Sequence, residues 1–131
     1  MTARLVAFRV AFFRRAPPVL LAPGCGRRYC SAMRALTVDM SDPNGRPYFF
    51  WDEDVSVAEL RAALEPGGDG HERLRLLGKL LREARDVDVW RFVTPSDVAA
   101  ALPALGRRVG RRRRFWEFLI NGWRNDGLLQ R

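Results

Sequence analysis

The residues most able to do chemistry in this chain are charged rather than nucleophilic. They are the arginines Arg107, Arg108, Arg111, Arg112, Arg113 and Arg114, and the acidic triplet Asp52, Glu53 and Asp54. A guanidinium carries five N–H donors and a permanent charge, so such a cluster is suited to hold an anion. The cluster precedes an apolar stretch with helical spacing, where positive charge opposes the helix macrodipole at about 0.3–1 kcal/mol per charge. Local stability would favour Asp or Glu there. The arginines therefore point to an anion site, aided by the free backbone N–H groups of a first helical turn. Three readings fit. The anion is nucleic-acid phosphate, or it is a carboxylate from Asp52–Asp54 or a partner protein, or the arginine stems cover apolar surface with their heads in water.

Catalytic and metal-binding patterns are not found. Three consecutive carboxylates on an extended segment cannot all face one ion, so Asp52–Asp54 read as a solvated acidic edge. His71 is the single histidine and sits at a helix start. Cys25 and Cys30 are the only cysteines, and no zinc-ligand spacing links them to His71. The chain has no G-x-G-x-x-G, P-loop or nucleophile elbow. The expectation is a non-enzymatic protein with no metal and no cofactor.

The net charge of +8 is unevenly placed. Residues 1–38 hold seven arginines and no acid, whereas residues 39–131 hold 16 basic and 15 acidic residues and carry only +1. Within the latter, Asp39–Glu72 has nine acids against Arg46 and Arg61, while Leu105–Arg131 has eight arginines against Glu117 and Asp126. Such polarity either steers a partner or pairs with itself on folding. A helix-turn-helix DNA reader fits poorly. The candidate recognition helix, Pro95–Ala104, contains Asp97 and neither lysine nor arginine with which to read base edges.

The elements that must position these residues are written with clear punctuation. Pro47–Trp51 is a dense apolar run, expected to lie as an extended arm over the core. Ser56 and Glu59 form a capping box that opens a helix ended by Pro66-Gly67-Gly68. Asp69 caps a second helix with Leu74, Leu77, Leu80, Leu81 and Ala84 on one face. Lys79 falls on the opposite face, and Gly78 on the apolar side, where it would admit a close neighbour. Asp86–Val93 suits either a strand or a helical turn. Thr94-Pro95 with Asp97 restarts a helix that Pro103 cannot let run far. The last helix, about Arg112 to Asn125, carries Trp116, Leu119, Ile120 and Trp123 in one stripe, widened by Phe115 and Phe118. It is expected to pack centrally on the second helix, with Trp90, Trp116 and Trp123 buried among Leu77, Leu81 and Leu119.

The fold expected is mainly α: a compact bundle of about four helices over residues 39–131, with an extended N-terminal arm and a disordered leader over residues 1–38. The leader fails as a secretory signal, because Pro17, Pro18 and Pro23 break its short apolar stretch. Leu21–Cys25 faintly resembles a lipobox. An arginine-rich, acid-free composition suits a mitochondrial transit peptide better. A misassigned start is the favoured reading, with Met33 and Met40 as later starts. Without caps or a sustained apolar period, residues 1–38 are expected to be removable without thermal effect. No apolar run approaches the roughly 20 residues of a membrane span. Cysteines confined to the leader suit a reducing cytosol for the body.

Pro47–Asp54, Leu81-x-x-Ala84-Arg85, Asp88–Phe92 and Phe115-Trp116-Glu117 resemble small bacterial proteins encoded beside abortive-infection (AbiE-like) nucleotidyltransferases. The resemblance spans residues 46–129 and brings no catalytic residues. It implies an antitoxin-like accessory role with a protein partner, the neighbouring nucleotidyltransferase. The alternative is a small nucleic-acid-binding module built on Arg107–Arg114.

Overall fold

Ser56 opens α1 (Val57–Leu64) through the capping box that its spacing to Glu59 implies: Ser56 Oγ accepts from Glu59 N at 3.1 Å and Glu59 Oε2 from Ser56 N at 2.7 Å. The computed structural model describes residues 33–129. Asp69 caps α2 (Gly70–Glu83), its carboxylate accepting from His71 N at 3.0 Å. The ambiguous stretch is one helical turn, α3 (Asp86–Val89). Val87 is exposed and Val89 fully buried, a difference that a strand would forbid because residues two apart share a face. Thr94 and Asp97 form a second capping box at α4 (Pro95–Leu105), which stops two residues beyond Pro103. A 3-10 segment (Gly106–Arg112) then leads into α5 (Arg113–Asn125), and Gly127 follows at φ 73°. The described residues are thus mainly helical. None of their helices is long and apolar enough to cross a membrane.

The helix at the centre is α2, not α5 as its apolar stripe suggested. Every residue from Leu76 to Leu81 is buried, and α2 packs against α1, α3, α4 and the 3-10 segment. Lys79, assigned to the water face, is 6% exposed. Gly78 explains how so many neighbours fit. A Cβ at this position would stand 2.7 Å from Arg108 Cβ, so only glycine lets the 3-10 segment lie this close.

From α5 only Trp116 and Ile120 are fully buried. Trp116 donates from Nε1 to the Leu81 carbonyl at 2.9 Å and meets Trp90 edge-on at 5.6 Å; Trp90 in turn contacts Trp123 at 5.5 Å. Trp90, Trp123 and Leu119 are half-buried rather than core. Phe118, expected to widen the inner stripe, is 78% exposed. The apolar residues of α5 are too many for one face, and those beyond the Trp116–Ile120 stripe turn outward.

The arm differs from expectation too. It is extended only at β2 (Arg46–Pro47), which pairs in parallel with β1 (Leu36–Thr37). Turns follow, closed by Phe50 N to Pro47 O at 2.9 Å and Glu53 N to Phe50 O at 3.4 Å. The reason lies in two adjacent rings: Phe49 and Phe50 are both buried, whereas an extended chain would point them to opposite faces. Tyr48 anchors the arm to α3, its hydroxyl donating to Asp88 Oδ2 and accepting from Arg85 N, each at 2.8 Å.

The domain boundary at Asp39 also needs correction, because the fold takes in residues before it. Leu36–Thr37 is β1, Tyr48 N donates to Thr37 O at 2.9 Å, and Arg34 pairs with Asp54 at 2.8 Å and with Glu59 at 3.1 Å. These contacts join residues 10–25 apart, which local periodicity does not register. The remaining leader readings, with Cys25 and Cys30, fall on residues 1–32, outside those described.

Two outcomes follow. A chain starting at Met40 should melt several degrees below one starting at Met33, because it lacks β1 and Arg34; equal midpoints by circular dichroism would return the boundary to Asp39. Gly78→Ala should destabilise on urea unfolding. Overpacking costs about 1–3 kcal/mol, more than the roughly 1 kcal/mol that alanine gains in helix propensity.

Candidate functional site

The arginine segment takes its shape from two glycines and one valine. Gly106 (φ 53°) and Gly110 (φ 58°) bracket the first part of the 3-10 segment in a backbone region that side chains disfavour. Val109 between them is fully buried and pins the segment to the core. With Val109 inward, Arg107 and Arg108 are left outward.

The six arginines do two different jobs. Arg112 turns back and donates from Nη1 to the carbonyl of Ala84, the residue that ends α2, while its guanidinium lies 5.5 Å from the rings of both Phe115 and Trp116. A cation there satisfies a terminal carbonyl and complements the negative end of the dipole. Arg113 donates to the Gly106 carbonyl at 2.8 Å, just past α4, and pairs with Glu117 at 2.7 Å. Their cost at the start of α5 is thus offset at the ends of α2 and α4. Arg107, Arg108, Arg111 and Arg114 are exposed and make no ion pair with any carboxylate among the described residues.

The acidic triplet does not supply the missing carboxylates. Asp52 pairs with Lys79, Glu53 with Lys79 at 2.9 Å and Arg75 at 2.7 Å, and Asp54 with Arg34 at 2.8 Å. Two carboxylates point to α2 and the third to Arg34, so the triplet acts as a structural clasp. Lys79 also lies 5.3 Å from the Phe50 ring and 6.0 Å from that of Trp51. Arg108 comes nearest to joining the two charged groups, lining a cavity of about 170 Å³ with Asp52, Glu53, Arg75, Lys79 and Arg82. Sequence periodicity placed Lys79 in water; the signal for its true place was the acid pair Asp52-Glu53 at the end of the aromatic run Tyr48–Trp51.

The outer face of α5 completes the surface. Arg111, Arg114, Phe118, Asn121 and Asn125 are exposed at helical spacing, and Phe115, 40% exposed, borders them. An exposed phenylalanine stands here between two unpaired arginines and two asparagines. Aromatic and arginine side chains are enriched where proteins meet.

The clasp has a pH signature. The Lys79 ammonium holds the Asp52 carboxyl below its usual range. Burial would raise Glu53, but hydrogen bonds from Lys79 and Arg75 outweigh it and the carboxyl is lowered too. Carboxylates depressed in the folded state stabilise it above their unfolded pKa, and that contribution is lost as pH falls through the folded value. Stability should therefore hold down to about pH 4 and decline below it. Lys79→Met should cost about 1–3 kcal/mol at neutral pH, less than a fully buried pair because Asp52 is 41% exposed. It should also flatten the acid decline in a pH series of denaturant unfolding; an unchanged pH profile would mean the clasp is not a stabilising element.

Comparison with known protein families, curated proteins and solved structures gives no match to this chain.

Proposed function

We propose that this chain is a non-catalytic accessory protein that binds an acidic protein partner through the outer face of α5 and the arginines before it. One observation carries the reading: Arg107, Arg108, Arg111 and Arg114 lack carboxylates among the described residues, and Phe118 stands exposed beside Arg114 and Arg111. Carboxylate side chains on a partner would meet the guanidiniums with planar, bidentate geometry. Phe118 and Phe115 would supply the apolar centre around which such charges form a rim. The near balance of 16 basic and 15 acidic residues over 39–131 favours a protein over nucleic acid, since no broad positive field gathers phosphate. The resemblance to proteins encoded beside AbiE-like nucleotidyltransferases supports such an enzyme as the partner, and an antitoxin-like role with it.

A photo-crosslinking residue placed at position 118 in the source cells tests this. The expected product is a discrete protein adduct that disappears when Arg111→Glu and Arg114→Glu are introduced together. A nucleic-acid adduct, or micromolar binding of mixed-sequence nucleic acid near physiological salt that the same two changes abolish, would overturn the protein reading in favour of phosphate.

A further inference from the structure

On residues that α5 does not share, a second cluster of arginines surrounds a cavity of about 330 Å³ between the end of α1, the start of α2 and the α3–α4 junction. Arg61, Arg73 and Arg91 line it from three different elements, with Phe92 and Val93 on the wall. The donors of these guanidiniums are largely unspent. Arg61 lies 5.4 Å from the Phe92 ring and makes one long bond, 3.3 Å, to the Met40 carbonyl; no carboxylate among the described residues pairs with it. Arg73 reaches Asp97 only at 3.9 Å, and Arg91 reaches Asp88 only at 3.7 Å. Neither distance is a hydrogen bond. Arg73 Nε is buried and has no partner at all. A buried donor without an acceptor costs about 1–3 kcal/mol; this one is closed to solvent, so what the cavity offers an entering anion is the rest of the three guanidiniums, the Arg73 side chain being 30% exposed and that of Arg91 57%.

Two carboxylates, Glu65 and Asp97, also line the cavity. Asp97 is largely committed to its own helix start, where Oδ2 accepts from Thr94 N at 3.0 Å and from Thr94 Oγ1 at 2.6 Å. The three guanidiniums still outnumber the acids. A tetrahedral oxyanion offers several oxygens to donors arriving from different directions, whereas a carboxylate presents two in one plane. We propose that this cavity binds a phosphoryl group, with the Arg61, Arg73 and Arg91 guanidiniums as its donors. The group comes either from free phosphate or from a small phosphorylated metabolite, for which Phe92 and Val93 provide an apolar wall.

The test is calorimetric titration of the full chain, in buffer free of phosphate and sulfate, with inorganic phosphate and separately with a nucleoside monophosphate. Saturable binding at submillimolar concentration is expected, weakened about tenfold or more by Arg73→Gln and by Arg91→Gln. Arg91 is the safeguard against a folding defect, because its side chain is 57% exposed. A monophosphate that binds at least tenfold more tightly than phosphate identifies a metabolite as the source, and equal binding identifies free phosphate. No saturable binding of either ligand overturns the proposal. So does binding that survives both substitutions, or that is lost in Arg111→Gln with Arg114→Gln instead. Neither result bears on whether a protein docks on α5.

Discussion

The close approach of the 3-10 segment to α2 at Gly78 is the constraint on which the rest of the arrangement depends. With no side chain at that position, Arg108 Cβ can sit where another residue's Cβ would collide. Val109 then reaches the core, Arg112 reaches back to the end of α2, and α5 must start where Arg113 can close on the Gly106 carbonyl. Each of these follows from the one before. The segment is short and bracketed by left-handed glycines, so its direction leaves little choice about which arginines face water. Arg107, Arg108, Arg111 and Arg114 are outward because Val109, Arg112 and Arg113 are held inward.

Electrostatics reinforces that division. The acid-rich segment Asp39–Glu72 does pair on folding, but its partners are Arg34, which precedes it, and Arg75 and Lys79 of α2. These cations lie close to where the Phe49-Phe50 turn delivers Asp52 and Glu53. Carboxylates spent on a clasp cannot neutralise a segment elsewhere on the molecule, so the polarity of the sequence is only partly internalised. What remains positive takes two physical forms. Along α5 it is a convex strip mixed with exposed phenylalanine, suited to a broad macromolecular contact. Around Arg61, Arg73 and Arg91 it is concave, with Phe92 and Val93 on one wall, a shape suited to a small anion.

The sequence by itself determined the local structure. Capping boxes at Ser56–Glu59 and Thr94–Asp97, the Asp69 cap, and the stops at Pro66 and Gly127 act over three or four residues, and each sits where its spacing places it. Gly78 as a point of close approach was legible for the same reason: a glycine amid leucines on one helix face has few other uses. The arginine cluster was legible as a candidate site, and the structure narrowed it to four outward residues by assigning Arg112 and Arg113 to helix ends.

Only the tertiary structure decided which helix is central, where the acids go and that residues 34–37 join the fold. Periodicity reports that a helix has an apolar face but not how many neighbours surround it, so α2 and α5 exchanged roles and Lys79 moved from water to the interior. The parallel pairing of Leu36–Thr37 with Arg46–Pro47, the Arg34 pairs and the meeting of Arg61, Arg73 and Arg91 join residues 10 to 30 positions apart. No spacing rule in a single sequence encodes such meetings. They exist because burying the aromatic turn and the leucines of α2 fixes the chain's path, and the path brings the charges together.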